Sequence, residues 1–309
     1  MSKLDRLRVR LPATSANLGP GFDTAAIALD FYLTVEAEPA AEYSITATGR
    51  DAGRCGALQD NLVLELYKAL MEREGKSPTP LAIRMENEIP LGMGCGSSAA
   101  GRLAAIVLAN HFGDLRWSSE RVLAEASEIE GHPDNAAACW LGGFVAAGTQ
   151  GGEVHVARVT PPAQWRAIVV LPTEPLATST ARAVLPAIYA RTDVVINLQG
   201  VAMLGLAFAQ GRGELLKAAM TDRVHQPYRS AICPQLPRLL PLAGRDGILG
   251  VALSGAGPAV LAIVGSADDV KAASGAIYQA MHEMQRPELL VCGFEADGAS
   301  VEAGFCVQG

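Results

Sequence analysis

The segment PLGMGCGSSAAG, residues 90–101, has the residue types of an anion site. Gly92, Gly94 and Gly96 let a chain turn tightly and bring its amides close to a ligand. The segment leads into SSAAGRLAAIVLAN, a run of helix formers, so unpaired N–H groups and the positive end of a helix dipole would face the loop. Ser97 and Ser98 can cap that helix, bond phosphate oxygens or offer a hydroxyl to Mg²⁺. The loop has no lysine and no GKS or GKT ending, so it is not a Walker A sequence. Its GxGxGSS spacing also departs from the GxGxxG dinucleotide fingerprint. On this pattern alone a phosphate cradle and a flexible loop with an ordinary serine cap both remain open.

Three further clusters could take part. PATSANLGPGFD, residues 12–23, reads as a loop after a first strand; there Asn17 and Asp23 either present polar groups to a substrate or stabilise a turn. In SEIEGHPDN, residues 127–135, Glu128, Glu130, His132, Asp134 and Asn135 crowd a helix junction. A carboxylate there could hold Mg²⁺ or meet a substrate hydroxyl or amine, or Asp134 could simply cap a helix. LSGAGPAV, residues 253–260, is a glycine turn between two buried strands whose backbone approaches something closely.

These clusters need elements to position them. Strands are expected at 7–11, 28–35, 43–47 and 81–85, and helices at 61–74, 97–110, 118–129 and 134–141. A turn and strand follow at 142–152, a buried strand at 167–171, and helical periodicity over 181–220 broken by Pro186 and Gly213. The tail alternates strands at 248–253 and 259–264, a helix at 267–284 and a strand near 289–294. With 309 residues the chain has the length of about two average domains, and the composition change places a lobe boundary near 160, giving 1–160 and 161–309.

Composition narrows the function. Scattered basic residues and a net charge of −7 argue against nucleic-acid and anionic-membrane partners, but not against a small anion held by two or three arginines. Six cysteines without a CxxC pair read as reduced thiols of a cytoplasmic protein, and MSKLDRLRVR lacks the apolar core of a signal peptide. The apolar stretch 248–264 is interrupted by Gly250, Gly255, Gly257 and Pro258, which fits two strands better than a membrane span.

In this order the three glycine segments resemble the motifs of the GHMP kinase superfamily, small-molecule kinases named for galactose, homoserine, mevalonate and phosphomevalonate. The resemblance runs over residues 12–260. PATSANLGPGFD, and EGHPDNAA followed by GGF, are similar to the branch that acts on homoserine. The resemblance implies an α/β (α+β two-layer) GHMP kinase fold. Its ATP-binding N-terminal lobe would carry a left-handed βαβ unit like ribosomal protein S5 domain 2, and its C-terminal lobe would be ferredoxin-like α+β. It also implies a cytoplasmic enzyme that makes O-phospho-L-homoserine for threonine synthesis, with a homodimer as an option.

Residue by residue, the resemblance puts ATP phosphates on Pro90, Leu91, Gly92, Met93, Gly94, Cys95, Gly96, Ser97, Ser98, Ala99 and Ala100. Mg²⁺ falls to Ser98 and Glu128, with Glu125 as the fallback. Homoserine would lie among Asn17, Asp23, His132, Asp134 and Asn135. Asn17 would orient its hydroxyl, and Asp134 would be the base if one is used. Arg182, four residues after Thr178, and Arg229 match the carboxylate clamp, isolated surface arginines being the plain alternative. Two departures stand out: Cys95 occupies the usual leucine position, and Ala177 replaces a serine before the clamp. The rival readings are a GHMP kinase for another hydroxylated substrate, such as L-threonine or a mevalonate derivative, and a nucleotide-binding regulator without turnover.

Overall fold

In the computed structural model, which describes residues 6–304, the first sheet is organised by two long antiparallel strands, β1 (Leu7–Asn17) and β2 (Gly21–Pro39). In the first half of β1 the alternation Leu7, Val9, Leu11 faces the core while Arg8 and Arg10 face outward. Arg8 Nε lies 3.5 Å from Glu36 Oε1 on the directly opposed residue, and the Arg10 guanidinium sits 3.2 Å over the Tyr32 ring. Past a register shift at Pro12/Ala13 both faces of β1 are buried.

Parallel strands β3 (Ser44–Gly49) and β4 (Leu81–Asn87) are joined through α1 (Ala52–Cys55) and α2 (Leu62–Arg73), the βαβ unit of this lobe. Three helices follow: α3 (Ser97–Phe112), α4 (Ser119–Glu130) and α5 (Asp134–Leu141). Helix α3 is buried from Ala99 to Ala109 except at Arg102, which its alanines allow because small side chains let strands and helices approach it on several sides. A hairpin of β5 (Phe144–Gln150) and β6 (Glu153–Val159) turns through Gly151 and Gly152 and pairs with the start of β2.

The second sheet contains β7 (Arg166–Leu171), β8 (Ile248–Leu253), β9 (Val260–Val264) and β10 (Glu288–Cys292), all antiparallel, in the order β10-β7-β9-β8. Between β7 and β8 run α6 (Thr178–Ala183), α7 (Arg191–Gln210), α8 (Leu216–Ala219), α9 (Gln226–Arg229) and α10 (Leu236–Leu239). Helix α11 (Val270–Ala280) joins β9 to β10, which completes the β-α-β-β-α-β order of a ferredoxin-like lobe. Phe208 of α7 stacks on Phe144 at 4.4 Å and meets Trp165 edge-on at 5.4 Å, so aromatic packing bridges the two sheets.

Several elements depart from the sequence expectation. Residues 12–17 belong to β1 and are not a loop; Thr14 and Ser15 are fully buried, with their hydroxyls hydrogen-bonded. The helical stretch 181–220 breaks around Pro186 as expected, but over the whole of 184–190. Strand β6 and the short helices α9 and α10 were not anticipated. Nor was β11 (Ser300–Ala303), which returns to pair with β1 in the first sheet. Residues 248–264 are two strands. The described helix long and apolar enough to span a membrane is α7, and it is anchored in the fold by buried Asn197, Gly200, Leu204, Ala207 and Phe208. Cys306 lies outside the described residues, and the other five cysteines are free thiols.

Candidate active site

A cavity of about 370 Å³ runs between the lobes along the start of α3. Gly92, Gly94 and Gly96 all have positive φ, and α3 begins after Gly96 without a side-chain cap. The loop's carbonyls are taken one after another. Gly92 O accepts from Leu176 N (3.0 Å), Met93 O from Ala259 N (3.1 Å), Gly94 O from Ser254 Oγ (2.7 Å) and Cys95 O from Thr14 N (3.1 Å). The loop therefore has its amides left to offer, next to the unpaired N–H groups of the first turn of α3.

Leu91, Gly92, Gly94, Gly96, Ser97 and Ser98 line the cavity, whereas Pro90, Met93, Cys95, Ala99 and Ala100 do not. This narrows the expected phosphate loop, and the reason is packing. Cys95, Ala99 and Ala100 turn into the core at 0–1% exposure, and burial pushes the Cys95 thiol up to about 12. The glycines serve neighbours as much as a ligand: a Cβ on Gly94 would run into Ser254 O and approach Gly257 O to 2.9 Å, and one on Gly96 would run into Thr14 Oγ1.

At one end, the turn from β1 to β2 places Asn17 and Asp23, both with positive φ. Asn17 Nδ2 donates to Gly255 O (2.7 Å) and its Oδ1 accepts from Asp23 N (3.1 Å), so the amide is fixed with one N–H to spare. Asp23 accepts a two-pronged pair from Arg182, at 2.6 and 3.1 Å. His132 Nδ1 is 2.6 Å from Asp134 Oδ1, which also accepts from Asn135 N at 2.7 Å. Asn135 is tied to β1 by Thr14 Oγ1 (2.6 Å). Asp23, His132 and Asp134 bring their ligating atoms within 4.8 Å of one another. Thr178, Arg182 and Arg229 complete this wall, the two guanidiniums each 5.4 Å from the Phe22 ring.

Neither Glu128 nor Glu125 is brought to Ser98. Glu128 is exposed and absent from the cavity, and Glu125 is buried against Arg73 and Arg121 at 2.6 and 2.7 Å. Glu130 lines the cavity instead, with Oε2 3.4 Å from Ser98 Oγ and an ion pair to Arg102. Two residues along a helix are a turn of about 200°, so only one of Glu128 and Glu130 can face α3.

Sequence reasoning also missed the far end of the cavity, where Arg54, Asn61, Leu62, Val63 and Met85 join Leu91. Asn61 caps α2 through Val63 N and Leu64 N, at 3.1 and 3.2 Å. The available signal was that cap: an asparagine before an apolar helical stripe, facing the glycine loop once β3 and β4 pair.

The fold is that of a small-molecule kinase of the GHMP class. The family described as GHMP kinases N terminal domain matches residues 61–143, and GHMP kinases C terminal matches 206–283. The homoserine kinase of Solibacter usitatus (strain Ellin6076) is 45% identical over 254 residues, covering 82% of this chain and 83% of that protein. That of Deinococcus radiodurans is 38% identical over 276 residues, 89% of each chain. The crystal structure of homoserine kinase from Cytophaga hutchinsonii superposes with a TM-score of 0.82 at 26% identity, over 98% of this chain and 99% of that one. L. major mevalonate kinase, at 15% identity and a TM-score of 0.71, shares the fold. The chain belongs to the homoserine kinase family.

Proposed function

We propose that this protein transfers the γ-phosphoryl group of ATP to the side-chain hydroxyl of L-homoserine, giving O-phospho-L-homoserine and ADP. One observation carries the reading: a single cavity joins the free amides at the start of α3 to a wall of two arginines, two carboxylates and a histidine. The first suits a polyphosphate, the second an amino acid.

The adenine base fits the far end, between Leu62, Val63, Met85 and Leu91, with the phosphates along Gly92–Ser98. The donor set of Ser98 hydroxyl and Glu130 carboxylate consists of hard oxygens and fits Mg²⁺, which would supply charge neutralisation on the phosphates. Arg229 and Arg182 would take the substrate carboxylate; Asp23, Asp134 and His132 form the negative pocket for its ammonium group. Asn17, fixed by Gly255 and Asp23, has a free N–H to hold the hydroxyl in line.

Phosphoryl transfer has a loose transition state, so alignment and charge neutralisation do most of the work. The hydroxyl oxygen bonds to the γ-phosphorus as the bond to the bridging oxygen of ADP breaks. The hydroxyl proton passes to Asp134 and from there to solvent. Intact Ser98, Glu130 and Asp134 favour a working enzyme over a nucleotide-binding regulator. Mass spectrometry of a reaction with ATP and homoserine tests the proposal: a phosphomonoester of homoserine supports it, and ADP with free phosphate alone refutes it.

A further inference from the structure

Arg229 heads the largest side chains that the fold buries, at 1% exposure, yet it lines the cavity. A guanidinium in that place needs acceptors. Nε donates to Ala181 O (3.0 Å), and Nη1 donates to Gly255 O (3.2 Å) and to His225 Nδ1 (3.1 Å). Nη2 makes no hydrogen bond among the described residues, so it is the group left for a ligand. Two of its three anchors are backbone carbonyls. The third is a side chain that the catalytic scheme does not use.

His225 is fully buried between partners of opposite polarity. A guanidinium only donates, so Nδ1 must carry a lone pair. Gly19 O, 2.8 Å from Nε2, only accepts, so Nε2 must carry the proton. One neutral tautomer satisfies both partners; the other tautomer and the imidazolium each set N–H against N–H. The charged groups facing the ring are Arg229 on its own helix, Asp222 (Oδ2 3.7 Å from Nε2) and, from the β1–β2 turn, Asp23. Asp222 is already engaged: it accepts from Asn197 Nδ2 (2.7 Å) and from the amides of Val224 (2.9 Å), His225 (3.0 Å) and Gln226 (2.6 Å). Burial lowers the imidazole from its usual 6.5 to about 4, against the opposing pull of Asp222.

We infer that His225 is a positioning residue for the carboxylate end of the site. As a neutral, Nε2-protonated imidazole it ties Arg229 to the Asn17–Asp23 turn through Gly19, so the arginine and the turn hold one register. The inference rests on Arg229 being a substrate ligand. Its reach is specific: the ring touches the amino-acid wall and none of the groups assigned to ATP.

Two measurements on the full chain test it. NMR of protein carrying ¹⁵N-histidine, with the His225 signals identified by their loss in His225→Gln, should show Nδ1 unprotonated and Nε2 protonated, unchanged from pH 8 to pH 6. In kinetics, His225→Leu should raise the homoserine KM by about tenfold or more while the ATP KM stays within about twofold. His225→Gln, whose amide can donate to Gly19 and accept from Arg229, should restore most of the loss. A protonated Nδ1, a titration between pH 6 and 8, an unchanged homoserine KM in the Leu variant, or equal rises in both KM values would overturn the inference. If the Leu variant does not fold, the spectrum decides. The spectrum is recorded without substrate, so a parent enzyme that failed to phosphorylate homoserine would refute the functional reading while the tautomer was still judged separately.

Discussion

Replacing Gly96 by alanine should damage stability and nucleotide binding together, because the loop is wedged against β1. Gly96 has φ +72°, a left-handed conformation that costs an L-residue about 1–2 kcal/mol. The new Cβ would fall within contact of Thr14 Oγ1 and 3.1 Å from Thr14 Cβ. Thr14 is fully buried and its hydroxyl donates to Asn135 Oδ1 at 2.6 Å, so relieving the clash breaks that bond, about 0.5–1.5 kcal/mol more. The sum, about 1.5–3.5 kcal/mol, corresponds to a drop in Tm of about 2–5 °C for a chain of this size.

Thermal unfolding with and without Mg-ATP is the assay. Saturating nucleotide at a hundred times its Kd should protect the parent by about 2.7 kcal/mol, and Gly96→Ala should lose most of that because the amides of Gly96 and Ser97 move with the loop. Adding Thr14→Ala removes the obstructing hydroxyl but leaves the φ strain, so the double variant should recover part of the lost Tm. A single variant with parental Tm and parental ATP protection would refute the reasoning, and so would a double variant whose two effects simply add.

Three other outcomes follow from the same geometry. Asp134→Asn should fold and bind ATP but lose about 10²–10⁴ in kcat, read in single-turnover assays; unchanged kcat with a lowered Tm would make Asp134 only a helix residue. Glu130→Gln should raise the Mg²⁺ concentration needed for half-maximal rate by about tenfold, whereas Glu128→Gln should match the parent; the reverse pattern would restore Glu128 as the metal ligand. Stability should fall as pH drops from about 6.5 toward 4, because the unfolded chain then binds a proton at His225 that the folded chain, with its value lowered to about 4, refuses. Above 6.5 this contribution is constant, and Tm measured at pH 7 and pH 5 should differ more in the parent than in His225→Gln.

How far the site could be read from the sequence depended on whether a residue acts through its type or through its facing. The cavity gathers glycines of the 90–101 loop with Asn17, Asp23 and Asp134, whose types left both a polar site and a turn or cap open, and with Arg182 and Arg229, which only the resemblance singled out. Glu128 against Glu130 was not legible, since both are glutamates on one helix and only the rotation of α4 on α3 decides which meets Ser98. Residues 12–17 were mistaken for a loop because Thr14 and Ser15 carry polar side chains; their burial depends on partners 121 and 239 positions away, Asn135 and Ser254. The βαβ unit and the ferredoxin-like lobe followed from the resemblance, whereas β11 pairs residues almost 300 positions apart, beyond any local pattern. Strand β6 was within reach, because a Gly-Gly pair between alternating residues is a hairpin signal.

If one cavity pairs an ATP site with an amino-acid site built for homoserine, the choice of acceptor must follow from its two ends. Initial rates of ADP release with L-homoserine, L-threonine, L-serine and mevalonate, at fixed Mg-ATP, test it most directly. Homoserine should give the highest kcat/KM, and mevalonate should be indistinguishable from the rate without acceptor because it has no ammonium group for Asp23, Asp134 and His132. Turnover of mevalonate at or above the homoserine rate, or no acceptor-dependent ADP release at all, would contradict it.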